Sequence, residues 1–288
     1  MHPRTVTVDT QAGQLEVLVW DPEGTRDTVI PGATVLALHG FPESAWEWQS
    51  VAEILMADGI RVIAPHQRGY SPGARPPEVA DYAIENLASD AFAVADHFGI
   101  RHAHVAGHDW GASVAWWMAA HHPDRVASLT AVSIPHLAVF AEALESDPEQ
   151  QERSAYFRLF RMRDKAEDVL LADDARRLRE MFGAAVREDV IEQHLEFVGD
   201  RAGLTGALNW YRAMRRYELP DVAVPTTYLW GEDDVAVARS TAQASGARVS
   251  GDYRFVPLAG IGHWVPEEAP EITAGEIARR LTPDAAPA

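Results

Sequence analysis

The 288-residue chain contains no cysteine, which excludes disulfides, thiolate metal sites and a cysteine nucleophile. Positive charge is scarce: 25 basic residues face 43 acidic ones, Lys165 is the only lysine, and the formal net charge is −18. A nucleic-acid partner needs a basic face for its phosphates, so that class is excluded, and the excess acid reads as solubility. No apolar run reaches the ~18 residues of a membrane span. The start, Met1-His2-Pro3-Arg4-Thr5, lacks the apolar stretch of a secretory signal. These absences lead us to expect a soluble, cytoplasmic protein. What remains is ordinary for a globular chain, 47% apolar and 24% charged, long enough for one large domain or a core with an insert.

The opening half alternates two patterns. Short apolar runs, residues 15–20, 33–39, 60–64, 104–107 and 129–134, read as strands, three of them (33–39, 60–64 and 129–134) stopped by Gly or Pro. Helical patterns lie between them. In Asp81 to Phe98 the apolar positions Ile84, Leu87, Ala91, Val94 and Phe98 share one face, and Gly99 follows as a stop. Residues 112–120 are apolar nearly all round, which predicts a buried helix. Strand–helix alternation predicts an α/β fold with a parallel sheet covered on both faces. After Pro135 the rhythm changes. Residues 137–217 carry helical patterns, dense charge and no convincing strand, and strands resume at 224–230 and 253–257 before a closing helix at 270–281. The tail 283–288 reads as frayed.

Four short motifs carry chemistry. Gly107-His108-Asp109-Trp110-Gly111 sits between a strand and a buried helix. Glycines on both sides permit a tight strand-to-helix turn that thrusts the middle residue outward, the mechanics of a nucleophile elbow. An N-capping aspartate would also suit a helix start; the glycine frame and the other motifs decide for the nucleophile. A carboxylate there attacks an sp³ carbon and forms an ester with the enzyme, where serine would serve ester or peptide hydrolysis. His39-Gly40-Phe41-Pro42-Glu43-Ser44 ends a strand and would offer a backbone N–H to an oxyanion, so Phe41 and Trp110 are assigned as the two donors. Trp230-Gly231-Glu232-Asp233-Asp234 follows another strand and holds two acids able to orient a histidine; Asp234 is preferred and Asp233 competes. Gly260-Ile261-Gly262-His263-Trp264 supplies the histidine, and His263 would activate water. The other histidines, His102, His104, His121 and His122, lack metal-binding spacing, and His108 is expected to pack behind the elbow.

These motifs resemble the α/β-hydrolase superfamily over nearly the whole chain, and most closely the soluble epoxide hydrolases. The resemblance implies a mostly parallel eight-stranded sheet flanked by helices. It also implies a helical lid after the sixth strand, with residues 1–136 and 218–288 as the core and 137–217 as the lid. Two lid tyrosines would bind and protonate an epoxide oxygen. One lies in Asn209-Trp210-Tyr211-Arg212 and the other in Ser154-Ala155-Tyr156-Phe157, so Tyr211 and Tyr156 are carried over. With Phe41 and Trp110 they would contact substrate. The implied partners are an epoxide and water, with no cofactor or metal, in a monomer or homodimer. One departure stands out: Pro65-His66-Gln67-Arg68-Gly69-Tyr70 has histidine where the family commonly has an acid. The alternatives are a haloalkane-type dehalogenase using the same aspartate and a non-catalytic binding protein of this fold. The dehalogenase is disfavoured because Phe41 stands where such enzymes often place asparagine, and because phenols suit an epoxide oxygen better than a halide.

Overall fold

The computed structural model describes residues 2–23 and 33–281; the expectation for the tail 283–288 lies outside them. Strands β3 (Thr34–Leu38), β4 (Arg61–Pro65), β5 (Ala103–His108) and β7 (Thr226–Gly231) are buried along almost their whole length. Burial on that scale requires cover on both faces of the sheet. With β1 (Arg4–Thr10), β2 (Gly13–Trp20), β6 (Val126–Val132) and β8 (Tyr253–Leu258) they form one eight-stranded sheet in the order β1-β2-β4-β3-β5-β6-β7-β8. The β1–β2 and β2–β4 pairs are antiparallel and the other pairs parallel. Strand β1 carries no apolar run. It lies at the sheet edge, where only Val8 is buried, and it alternates exposed with less exposed positions in place of an apolar run.

Alternate residues of each inner strand enter different cores, as a two-residue period demands. Leu36 and Leu38 pack with Val105 on one face, while Val35 and Ala37 pack with Val51, Leu55 and Ile277 on the other. Helices α1 (Gln49–Ala57) and α12 (Pro270–Leu281) cover the second face; α2 (Ile84–His97) and α3 (Trp110–His121) cover the first. The helix expected over 81–98 is interrupted. A short 3₁₀ turn spans Val79–Tyr82, and α2 begins at Ile84 after the extended Ala83. The chain leaves β3 through α1 on one face and returns to β5 through α2 on the other. The crossovers diverge between β3 and β5, which opens a crevice at the carboxyl ends of the strands.

Between β6 and β7 lie six helices: α4 (Leu137–Ser146), α5 (Pro148–Arg153), α6 (Phe157–Phe160), α7 (Lys165–Phe182), α8 (Glu188–Val198) and α9 (Arg201–Ala213). No strand falls among the described residues 137–217. Helix α7 is broken at Ala172–Ala175, where the backbone leaves helical geometry. Contacts with the loop after β4 help to fasten the segment to the core. Trp210 Nε1 donates to the Arg68 carbonyl at 2.9 Å, and Phe197 stacks on His66 at 3.8 Å between ring centroids. His66, the departure noted above, is thus an apolar-face partner. Its Nδ1 accepts the Ala45 N–H, and burial, followed by the neighbouring His39 and His194, holds its pKa well below the usual histidine value. It stands neutral where an acid would be charged. No helix among the described residues is long and apolar enough to cross a membrane.

Candidate active site

Strand β5 ends at His108 and α3 begins at Trp110, so Asp109 alone makes the turn. Its backbone, φ 47° and ψ −117°, lies in a region that side chains avoid and that costs about 1–3 kcal/mol. The flanking glycines act by close approach, while the positive φ falls on Asp109 itself. A Cβ on Gly111 would stand 2.0 Å from the Leu38 carbonyl oxygen, and one on Gly40 would stand 2.5 Å from Asp109 Cβ. Any side chain at either place would push α3 or the loop after β3 away from the aspartate. With both absent, the Phe41 N–H reaches Asp109 Oδ1 at 2.9 Å. The Trp110 N–H belongs to the first turn of α3, whose amides have no partner within the helix. Asp109 Oδ2 faces His263, 3.8 Å from Nε2.

His263, in the loop after β8, has Nδ1 3.0 Å from Asp234 Oδ1. Asp234, in the loop after β7, also accepts the Ala236 and Val237 amides on Oδ1, and the Ser133 hydroxyl on Oδ2 at 2.6 Å. Burial works to raise the Asp234 pKa, but His263, Ser133 and the Ala236 amide outweigh it and hold it below the usual carboxylate value. The competing Asp233 is exposed and gives its N–H to the Ile261 carbonyl. For His263, burial opposes the charge, while Asp234 and Asp109 favour it and raise the pKa above the usual value. Helix α5 secures the acid loop from outside: Gln150 bonds the Ala236 carbonyl and the Ala238 amide, and Arg153 donates to the Asp234 carbonyl.

Ser133 is the group that motif reading missed. It ends β6 at φ 69°, its carbonyl takes the Tyr228 hydroxyl, and its Oγ lies 2.9 Å from His263 Nδ1. The hydroxyl proton goes to Asp234, so the Ser133 lone pairs face the imidazole. Two acceptors therefore converge on Nδ1, which places the ring proton there and leaves Nε2 bare toward Asp109. No motif marks Ser133, which in sequence is one small polar residue before Ile134-Pro135.

Tyr211 is buried on α9, edge-on to Trp110 at 5.2 Å and to Phe41 at 5.3 Å between ring centroids. Half-buried Tyr156 leads into α6, its ring centroid 6.2 Å from that of Tyr211. Burial first, and then Asp109 among other charges, raises both phenols well above their usual pKa and keeps them protonated. The residues around Tyr211 are each engaged elsewhere. Trp210 bonds Arg68, while Arg212 pairs with buried Glu167 at 2.9 Å and bonds Asn209. The stretch 209–212 thus holds α9 from two sides and leaves the phenol toward Asp109.

Behind the elbow lies a buried layer of acids and imidazoles. His108 Nε2 donates to the His263 carbonyl at 2.9 Å, and its Nδ1 lies 2.9 Å from Glu43 Oε2 and 3.5 Å from Glu47 Oε2. Burial alone would depress the His108 pKa, but Glu47 and Glu43 override it and hold it well above the usual value. Burial and Glu47 push Glu43 up to about 7, and burial and Glu43 hold Glu267 well above the carboxylate range. Two groupings, Glu43–Glu47–His108 and Glu43–His194–Glu267, bring possible ligand atoms within 4.8 Å of one another. In the second, His194 Nδ1 accepts the Ser44 N–H at 3.0 Å. Its Nε2 lies 3.8 Å from Glu267 Oε1.

Two cavities meet at this site, and Asp109, Tyr156 and Tyr211 line both. Phe41 and His263 line the larger, Trp110 the smaller.

The profile of the alpha/beta hydrolase fold family matches residues 33–270. Epoxide hydrolase A of Mycobacterium tuberculosis is 32% identical over 305 aligned positions, covering 88% of this chain and 94% of that protein. The AB hydrolase superfamily protein YfhM of Bacillus subtilis is 34% identical, covering 84% and 87%. Among solved structures, one reported among novel epoxide hydrolases in metagenomes from hot environments superposes with a TM-score of 0.83 at 29% identity, covering 98% of this chain and 99% of that one.

Proposed function

This chain belongs to the alpha/beta hydrolase fold family, and within it we propose that it is an epoxide hydrolase, converting an epoxide to a vicinal diol through an ester on Asp109. The observation that carries the reading is a carboxylate in the elbow, with two protonated phenols on the walls of the same cavities. The epoxide hydrolases among its relatives support it. Residues 137–217 act as a lid over the core formed by 1–136 and 218–288, since they bring the two tyrosines to the core's nucleophile.

The Phe41 amide occupies Asp109 Oδ1, so Oδ2 is the attacking oxygen. It bonds to a ring carbon while the C–O bond breaks, and Tyr156 and Tyr211 supply a proton to the departing oxygen. The ester carbonyl is then Oδ1, already at the Phe41 N–H. His263 Nε2 takes a proton from water, which attacks Asp109 Cγ. The Phe41 and Trp110 amides hold the oxyanion. On collapse the departing diol oxygen takes the proton from His263, and the proton of the water hydroxyl left on the Asp109 carboxyl returns to the phenolate, which restores the enzyme. Single turnover in ¹⁸O-water tests this route. The label is expected in the Asp109 carboxylate and not in the first diol; label appearing directly in the diol would refute the ester. A parallel halide-release assay on 1-haloalkanes separates this reading from a dehalogenase.

Ser133 acts through its neighbours by holding Asp234 and fixing the His263 tautomer. Ser133→Ala is expected to lower kcat about tenfold, the scale of one lost hydrogen bond to a charged group, and to move the acid limb of the pH–rate profile. Ser133→Asn, which retains a donor and suits a positive φ, is expected to restore part of the rate.

A further inference from the structure

We propose that the substrate is an epoxide with one large, mainly apolar substituent on one ring carbon and a much smaller one, such as hydrogen or methyl, on the other. The proposal rests on the epoxide-hydrolase reading above and on the inequality of the two cavities. The inner chamber, between the end of β6 and helices α4 and α6, has a volume of 30 Å³, whereas the outer cleft, between α7 and the loops after β7 and β8, has 630 Å³. By the same measure the inner chamber offers about one twentieth of the room of the outer cleft.

In ring opening the oxygen must point at the phenols and the attacked carbon at Asp109. The substituents leave the ring sideways, and both chambers open on Asp109 and the two phenols. The inner walls cannot retreat cheaply. Ile134, Leu137 and Phe140 belong to the main apolar core, and Trp116 Nε1 fixes the Ile134 carbonyl at 3.0 Å. Phe140 meets Phe157 edge-on, and Phe157 meets Tyr211 in the same way, so widening the chamber would displace a reacting group. The outer cleft is different. Leu170, Met181 and Trp264 give it apolar walls, Arg177 and Glu180 lie exposed at its rim, and Val235 at its mouth is 69% exposed. A bulky apolar group can enter there and extend toward solvent.

The test holds one substituent constant and enlarges the other, using kcat/KM for styrene oxide, trans-β-methylstyrene oxide and trans-stilbene oxide with the full chain. The first two are expected within about tenfold of each other, and the third about a hundredfold lower, the scale of overfilling a packed site. Phe140→Ala is expected to raise stilbene oxide turnover at least about tenfold relative to styrene oxide, as is Leu137→Ala if the first variant does not fold. Stilbene oxide turned over as well as styrene oxide by the unaltered chain would overturn the proposal and leave the epoxide reading intact. A methyl compound as poor as stilbene oxide would overturn the methyl allowance. Failure of all three epoxides beside release of halide from 1-haloalkanes would remove the epoxide reading itself and this proposal with it.

Discussion

Asp109→Ala is expected to lower kcat for diol formation by at least about 10⁴-fold, because it deletes the atom to which the substrate is joined. In the proposed route, no second carboxylate can take its place. Asp234 is turned away, with both oxygens occupied by Ser133, His263 and two backbone amides. Glu43 and Glu47 are buried behind the elbow against His108. The phenols and the amides remain in the variant, but they stabilise charge on an oxygen that no longer forms. The fold is expected to lose little. The carboxylate gives up its bond to the Phe41 amide, worth about 1 kcal/mol, while the strained turn and the glycine contacts persist. A folded variant, with an unchanged far-ultraviolet spectrum and a thermal midpoint within a few degrees, that kept more than about 1% of the rate would show that another group is the nucleophile.

His263→Gln separates the two halves of the reaction. The first half needs Asp109 and the phenols and is expected to proceed. The second needs a base and is expected to slow by about 10³-fold, within the usual range for losing a positioned general base. Intact-mass analysis after brief exposure to an epoxide should show the chain heavier by one substrate molecule, and peptide mapping should place the mass on Asp109. An unmodified chain with normal turnover would eliminate His263 as the base. The wild-type pH dependence follows from the same group. Only neutral His263 can take a proton from water, and Asp234 raises its pKa above the ordinary 6.5 against the opposing effect of burial. Activity should therefore fall as pH drops through a value above 6.5, and that limb should vanish from the residual rate of His263→Gln.

The motifs legible in the chain are those whose geometry is local. An aspartate between Gly107 and Gly111 makes its turn from neighbouring residues, and the packing of Gly40 and Gly111 explains why no larger residue stands there. The apolar runs of β3, β4 and β7 were legible because strands buried on both faces need no alternation. Strand β1 was not, because an edge strand with one buried residue carries a short alternation, Val6 and Val8 among polar residues, and no apolar run. The acid was legible only to within two adjacent positions. Both Asp233 and Asp234 fit the motif, and only the folded loop exposes one and buries the other beside His263. Of the acid and imidazole layer behind the elbow the chain pointed only to His108, since the other members come from the loop after β3, helix α8 and the turn after His263.

By itself the sequence determined the family and singled out the elbow aspartate, the loop histidine and their order along the chain, because each depends on a few consecutive residues and on the backbone they permit. Tertiary structure alone decided which acid meets the histidine, that Ser133 joins them from 101 and 130 positions away, that His66 is neutral against Phe197, and that the two chambers beside Asp109 differ so much in size. Those features are distances between residues remote in the chain, set by strand order and by the packing of helices α4 to α9, and no local pattern encodes them.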